Sequence, residues 1–137
     1  MIERFYEGEE IAAIIIRNNF DKEGIKFVTP DEFSQQMAYM HHKKGHLIIP
    51  HFHNKVSRTV HYTQEVLVIK SGKVKVNFYD KDCCFRESTI ISAGDVILLA
   101  SGGHGFEILE ETVMVEIKQG PYAGEADKTR FDPKETK

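Results

Sequence analysis

Between residues 65 and 118 the chain alternates apolar with polar side chains over short runs, and this excludes more folds than any other feature. In KVKVNFYD (73–80), Val74, Val76 and Phe78 fall between Lys73, Lys75 and Asn77. Successive strand side chains point to opposite faces, so this run offers one face to a core and one to water. EVLVIK (65–70), just before it, is nearly continuously apolar, and Ser71-Gly72 reads as a tight connection between two strands. STII (88–91), a turn at AGD (93–95), VILLA (96–100) and TVMVEIK (112–118) follow, with SGGHGFEIL breaking and restarting the pattern. Short strands at this spacing with Gly-marked turns predict an all-β sandwich or barrel.

The first third carries other signals. IAAIIIR (11–17) suits a strand. In TPDE (29–32), Thr29 has the character of an N-cap, Pro30 of a first helical residue, and Glu32 stands three after the cap. This predicts a short helical turn followed by a strand over QMAYMHH (36–42). A helix through residue 40 is the alternative, because Phe33, Met37 and Met40 share a helical face. At 137 residues the chain suits one domain. Residues 1–122 are expected to form it, and 123–137 a polar C-terminal tail with Phe131 as an anchor.

Net charge and apolar runs narrow the function classes. A formal charge of −3 provides no basic field for nucleic acid. The run IAAIII (11–16) is far short of the roughly 20 residues a bilayer requires, and it follows acidic EGEE rather than a basic leader. No membrane partner is expected. Cys83 and Cys84 are adjacent in a polar stretch, so they cannot staple distant parts of a fold; loop residues in a reducing, cytoplasmic setting are expected.

The chemistry-bearing residues are histidines. GHLIIPHFH (45–53) follows an apolar Leu47-Ile48-Ile49 run with His51 and His53, two residues apart and therefore on one face of a strand. Either they are incidental polar residues of a half-exposed strand, or two imidazoles are offered to one target. Glu65 shares strand parity with Leu67 and Ile69, and His104 follows another apolar strand. Two or three imidazoles with one carboxylate make a mixed N/O donor set, suited to a divalent transition ion (Fe, Mn, Ni or Zn) rather than calcium or magnesium. His41, His42 and His46, in HHKKGH, read as solvated.

GHLIIPHFH is Gly, five residues and His-x-His, and EVLVIKSG is Glu, six residues and Gly72; together they resemble the first signature of the cupin superfamily. GDVILLASGGH (94–104) resembles the second. The resemblance covers residues 45 to about 108. It implies a six- to eight-stranded double-sheet jelly-roll barrel in which His51, His53, Glu65 and His104 converge on one metal ion, and a homodimer. Where the family has three or four residues between the second histidine and the glutamate, eleven stand here, NKVSRTVHYTQ, making a longer loop at the barrel mouth.

That loop supplies Arg58, His61 and Gln64. Guanidinium and amide groups suit an anionic or hydroxyl-rich ligand, although Arg58 equally keeps an exposed loop soluble. Glu116 and Lys118 share a face with Met114, opposite Val113, Val115 and Ile117, and point either into the cavity or into solvent. The resulting expectation is a metal-dependent enzyme acting on a small polar molecule, a sugar or sugar derivative. Its chemistry would be isomerase- or epimerase-like, or dioxygenase-like with iron. His61 and Glu116 are its candidate catalytic residues, and Arg58, Gln64 and Lys118 its substrate contacts. The alternative is a metal-anchored binding or sensor protein without turnover.

Overall fold

A computed structural model describes residues 1–134. Four strands precede the long central loop: β1 (Ile2–Glu7), β2 (Glu10–Ile16), β3 (Gly24–Phe27) and β4 (Ala38–His41). Four follow it: β5 (Glu65–Tyr79), β6 (Phe85–Ser92), β7 (Val96–Leu99) and β8 (Gly103–Lys118). The main sheet runs β1-β2-β7-β5-β6, with β8 laid along the remaining side of β5 and every pairing antiparallel. It curls into a half-barrel.

The curl is built into β5 and β8. They stay paired from Glu65↔Lys118 to Tyr79↔Gly103, yet the register slips three times between Ile69 and Val74. Each unmatched residue bends a strand and moves later side chains to the other face. Inward residues of β5 accordingly change from Leu67 and Ile69 to Val74, Val76 and Phe78, and all five join one core with Ala13, Ile15, Ile91, Ile97 and Leu99. Gly72 makes the bend possible. Its φ of +95° is costly for other residues, and a Cβ there would collide with the Glu111 carbonyl and come within 2.7 Å of Thr112 Cα. The expected tight connection at Ser71-Gly72 is therefore a bend within one continuous strand.

β3 and β4 form a separate two-stranded sheet. Val28 and Met37, at the ends of these strands, pack with Ile14, Ile16, Val66 and Leu98 on the opposite side of the main sheet. A polar clasp closes the strand ends: buried Asp95 accepts the N–H groups of Asn18 and Ser92 (2.8 and 2.9 Å) and one bond from Arg17 (3.1 Å). Arg17 also bonds Glu3, Thr89 and the Ile90 carbonyl.

Two sequence expectations are corrected. The helical turn at 29–32 does not form, because the Thr29 hydroxyl is engaged elsewhere: it accepts the Met37 N–H (3.1 Å) and donates to Gln36 Oε1 (2.8 Å). Only a single turn remains there, Phe33 N–H to the Pro30 carbonyl. Nor do residues 45–53 form a buried strand. Leu47, Ile49 and Phe52 are 85, 80 and 86% exposed, and residues 42–64 contain no strand.

Past β8 the chain passes a cis Gly120-Pro121 bond and a short 3-10 turn, Gly124–Asp127. The tail is anchored as expected through Phe131, whose ring meets Tyr79 edge-on with centroids 5.4 Å apart. Lys134 forms a bridge with Cys84, and 135–137 lie outside the described residues. No helix among the described residues is long and apolar enough to cross a membrane.

Candidate functional site

Glu65 opens β5 on the same face as Leu67, and its side chain is only 15% exposed. His104 is the second residue of β8 and pairs with Phe78, at the far end of β5. Along an unbent strand those positions would be remote. The bend at Gly72 folds the two halves over each other, and His104 Nε2 lies 2.9 Å from Glu65 Oε1. Here the mostly apolar interior ends in a polar group, since Glu116 and Lys118, on the β8 strand opposite Leu67 and Glu65, also face Glu65. Glu116 and Lys118 share the face that carries Glu65, where Lys118 is half-buried and Glu116 remains exposed to solvent.

The electrostatics follow from these contacts. The hydrogen bond with His104 holds the Glu65 carboxyl well below the usual carboxylate range, against the opposing effect of its burial, with further help from Glu116 and Lys118. Glu116 moves the other way, raised first by its hydrogen bond to Glu65 and then by burial. A proton shared between the two carboxylates therefore resides on Glu116, and Glu65 is the anion. With Glu65 ionised, the bond to His104 requires the hydrogen on Nε2, which leaves Nδ1 of the neutral ring as a lone-pair base. Among the described residues Nδ1 has no protein partner. Lys118 Nζ continues the polar group outward, 3.8 Å from Asp127 Oδ2.

Asp127 also lines a cavity of about 680 Å³ between the central loop and the segment after β8. Arg58, His61 and Tyr62 form its loop side, Gln119 and Pro121 the other. The loop puts Arg58 and His61 on the wall of this cavity. Gln64 is a structural tie. Its Oε1 accepts the Gln35 N–H (3.1 Å) and its carbonyl the Gln119 N–H (3.1 Å).

The expected metal set is only half assembled. Glu65 and His104 meet. His51 and His53 lie on the exposed stretch, edge to face with each other at 5.3 Å, and His51 Nδ1 donates to the Ile49 carbonyl. No group of three or more His, Cys, Asp or Glu side chains among the described residues is placed to hold an ion. His41 pairs with Asp21 (2.6 Å), and the His42 and His46 rings stack at 4.1 Å.

Sequence reasoning missed the direct imidazole–carboxylate pairing of His104 with Glu65, having read both only as separate donors to an ion. Their shared inward parity was the available signal. No protein-family model, curated protein or solved structure matches the chain.

Proposed function

We propose that the chain is an enzyme of cupin type that moves a proton on a small polar substrate, a sugar or sugar derivative, in an isomerase- or epimerase-like reaction. The observation that carries this reading is the His104–Glu65 pair, 2.9 Å apart at the polar end of an apolar half-barrel. A carboxylate that fixes the tautomer and orientation of an imidazole makes its other nitrogen a positioned base and stabilises the imidazolium formed when a proton arrives. Glu116, which retains its proton to higher pH than an ordinary glutamate, is the corresponding acid. Lys118 supplies positive charge for an oxyanion developing at a carbonyl. Arg58 and His61, on the wall of the adjoining cavity, are the contacts for the substrate's anionic or hydroxyl-bearing part.

Proton abstraction beside a carbonyl leaves a trace even without net turnover. A panel of keto- and aldo-sugars incubated in D2O should include members whose α-proton signal disappears with wild-type protein. Removal of a general base costs about 10²–10⁴ in rate, so His104→Ala should abolish the exchange. Exchange that persists undiminished in His104→Ala, or that occurs with no member of the panel, contradicts the reading.

A further inference from the structure

Residues 47–54 are an arm without a place in their own chain. Its ends are fastened, on one side by the His46 N–H bond to the Lys43 carbonyl and on the other by the bond between Gln64 and Gln119. Between them, residues 47–63 make no backbone–backbone hydrogen bond among the described residues. Leu47, Ile48, Ile49 and Phe52 stand in solvent. Exposing that many neighbouring apolar side chains is unfavourable, and such stretches mark interaction surfaces.

The same molecule has a sheet edge that needs a strand. Among the described residues β8 is bonded only to β5, so its other side is open along sixteen residues, with Phe106, Ile108 and Leu109 exposed. A long, apolar, unprotected edge of this kind is a template for strand addition.

We propose that two copies of this chain exchange arms, each arm pairing antiparallel with the first half of the other copy's β8. The match lies in the order of polarity. From its start β8 presents His104, then Phe106 and Ile108, on the inward face, since these pair with Phe78, Val76 and Val74. Read backwards, the arm presents His53 and His51, then Ile49 and Leu47, on one face. Laid antiparallel, imidazoles meet imidazole and aliphatics meet Phe106 and Ile108. A parallel alignment sets apolar against polar. Pro50 has no N–H, which suits a strand at the edge of a sheet rather than one in its middle.

Exchange between two copies is reciprocal and closes on itself, which is the property of a two-fold dimer. Leu47 and Ile49 of the arm and Ile108 of β8, each exposed in the single chain, supply apolar area for an interface, which in stable complexes amounts to roughly 1,200 Å² or more. The half-barrel is then completed by its partner, and His51 and His53 arrive beside the other copy's His104 and Glu65. The four residues that the sequence assigns to one cluster are assembled from two chains.

The interface stands apart from the proton-transfer reading, and the test keeps them separate. One chain carries Ile49→Cys and the other Phe106→Cys, both with Cys83→Ser and Cys84→Ala. They are co-expressed with tags of different size and oxidised mildly. A mixed covalent dimer should form at least about tenfold faster than with an exposed Tyr122→Cys control in place of Ile49→Cys, because pairing raises the local concentration of the thiols. Wild-type protein should sediment as a dimer. A mixed dimer no faster than the control overturns the proposal, as does wild-type protein that sediments as a monomer. So does a chain carrying both cysteines that bridges only to itself. Glu116→Gln, outside the half of β8 that the arm covers, should still cross-link at the wild-type rate.

Discussion

At the scale of single residues, two carboxylates with opposite tendencies make the site, and linkage makes that opposition measurable. Glu65 lies below its ordinary 4.5 in the folded chain, so its contribution to stability is complete above about pH 4.5 and is lost as pH falls through the lower folded value. Glu116 lies above 4.5, so its contribution is complete below about pH 4.5 and is lost as pH rises through the raised value. Glu116→Gln keeps a donor for Glu65 without the second charge. Thermal melts should show the variant at least as stable as wild type at about pH 8, with the difference shrinking toward about pH 4; a variant that loses most stability at pH 8 contradicts the shared proton. Asp95 is a structural counterpart, its side chain 6% exposed and holding two N–H groups and Arg17. Asp95→Ala leaves a guanidinium and two amides without their acceptor and should cost about 3–5 kcal/mol in urea titrations. A cost under about 1 kcal/mol would show that the clasp is dispensable. The sequence marked Asp95 only as part of a turn, because nothing local indicates that Arg17 and Asn18, some eighty positions away, need an acceptor.

At the scale of elements, the bend in β5 and β8 turns an alternating pattern into a site. Gly72→Ala combines a positive φ with a backbone collision and should destabilise the fold by about 1–3 kcal/mol. It should also disturb His104 and Glu65, although both are distant in sequence from residue 72, and ring and amide chemical shifts at His104 report it. A variant of wild-type stability with an unchanged His104 spectrum contradicts a hinge at Gly72. Alternation in 73–80 and the apolar runs at 65–70 and 96–99 were legible because each residue there faces either a core or water. Residues 103–111 were not, since the slips around Glu110 break the period that identifies a strand. The arm was misread for a different reason. Leu47, Ile49, His51 and His53 have the periodicity of a strand, but periodicity states what a sheet would accept, not whether the chain supplies a free edge within reach. Thr29 shows the same limit on the helical side, where a good N-cap became a brace for Met37.

At the scale of the molecule, a half-barrel with β8 open along its length and an idle arm is an incomplete object, and its stability should depend on concentration. Amide exchange of Ile48, Ile49 and Phe52 should be slow in concentrated protein and approach free-chain rates on dilution below the dissociation constant, while Ile14 and Val74 stay protected. Fast exchange of the arm at every concentration contradicts a paired strand. The same view bears on how much of the site the sequence disclosed: it singled out His104 and Glu65, which lie 2.9 Å apart, and His51 and His53, which stand on the exposed arm. The most direct measurement concerns the pair that does the proposed chemistry. Long-range proton–nitrogen correlation spectra of His104, recorded where its ring is neutral, should show hydrogen on Nε2 and a bare Nδ1, and Glu65→Ala should release the ring to a mixture of tautomers. A ring protonated on Nδ1, or one already averaging between both forms in the wild type, would contradict a base held in place by Glu65.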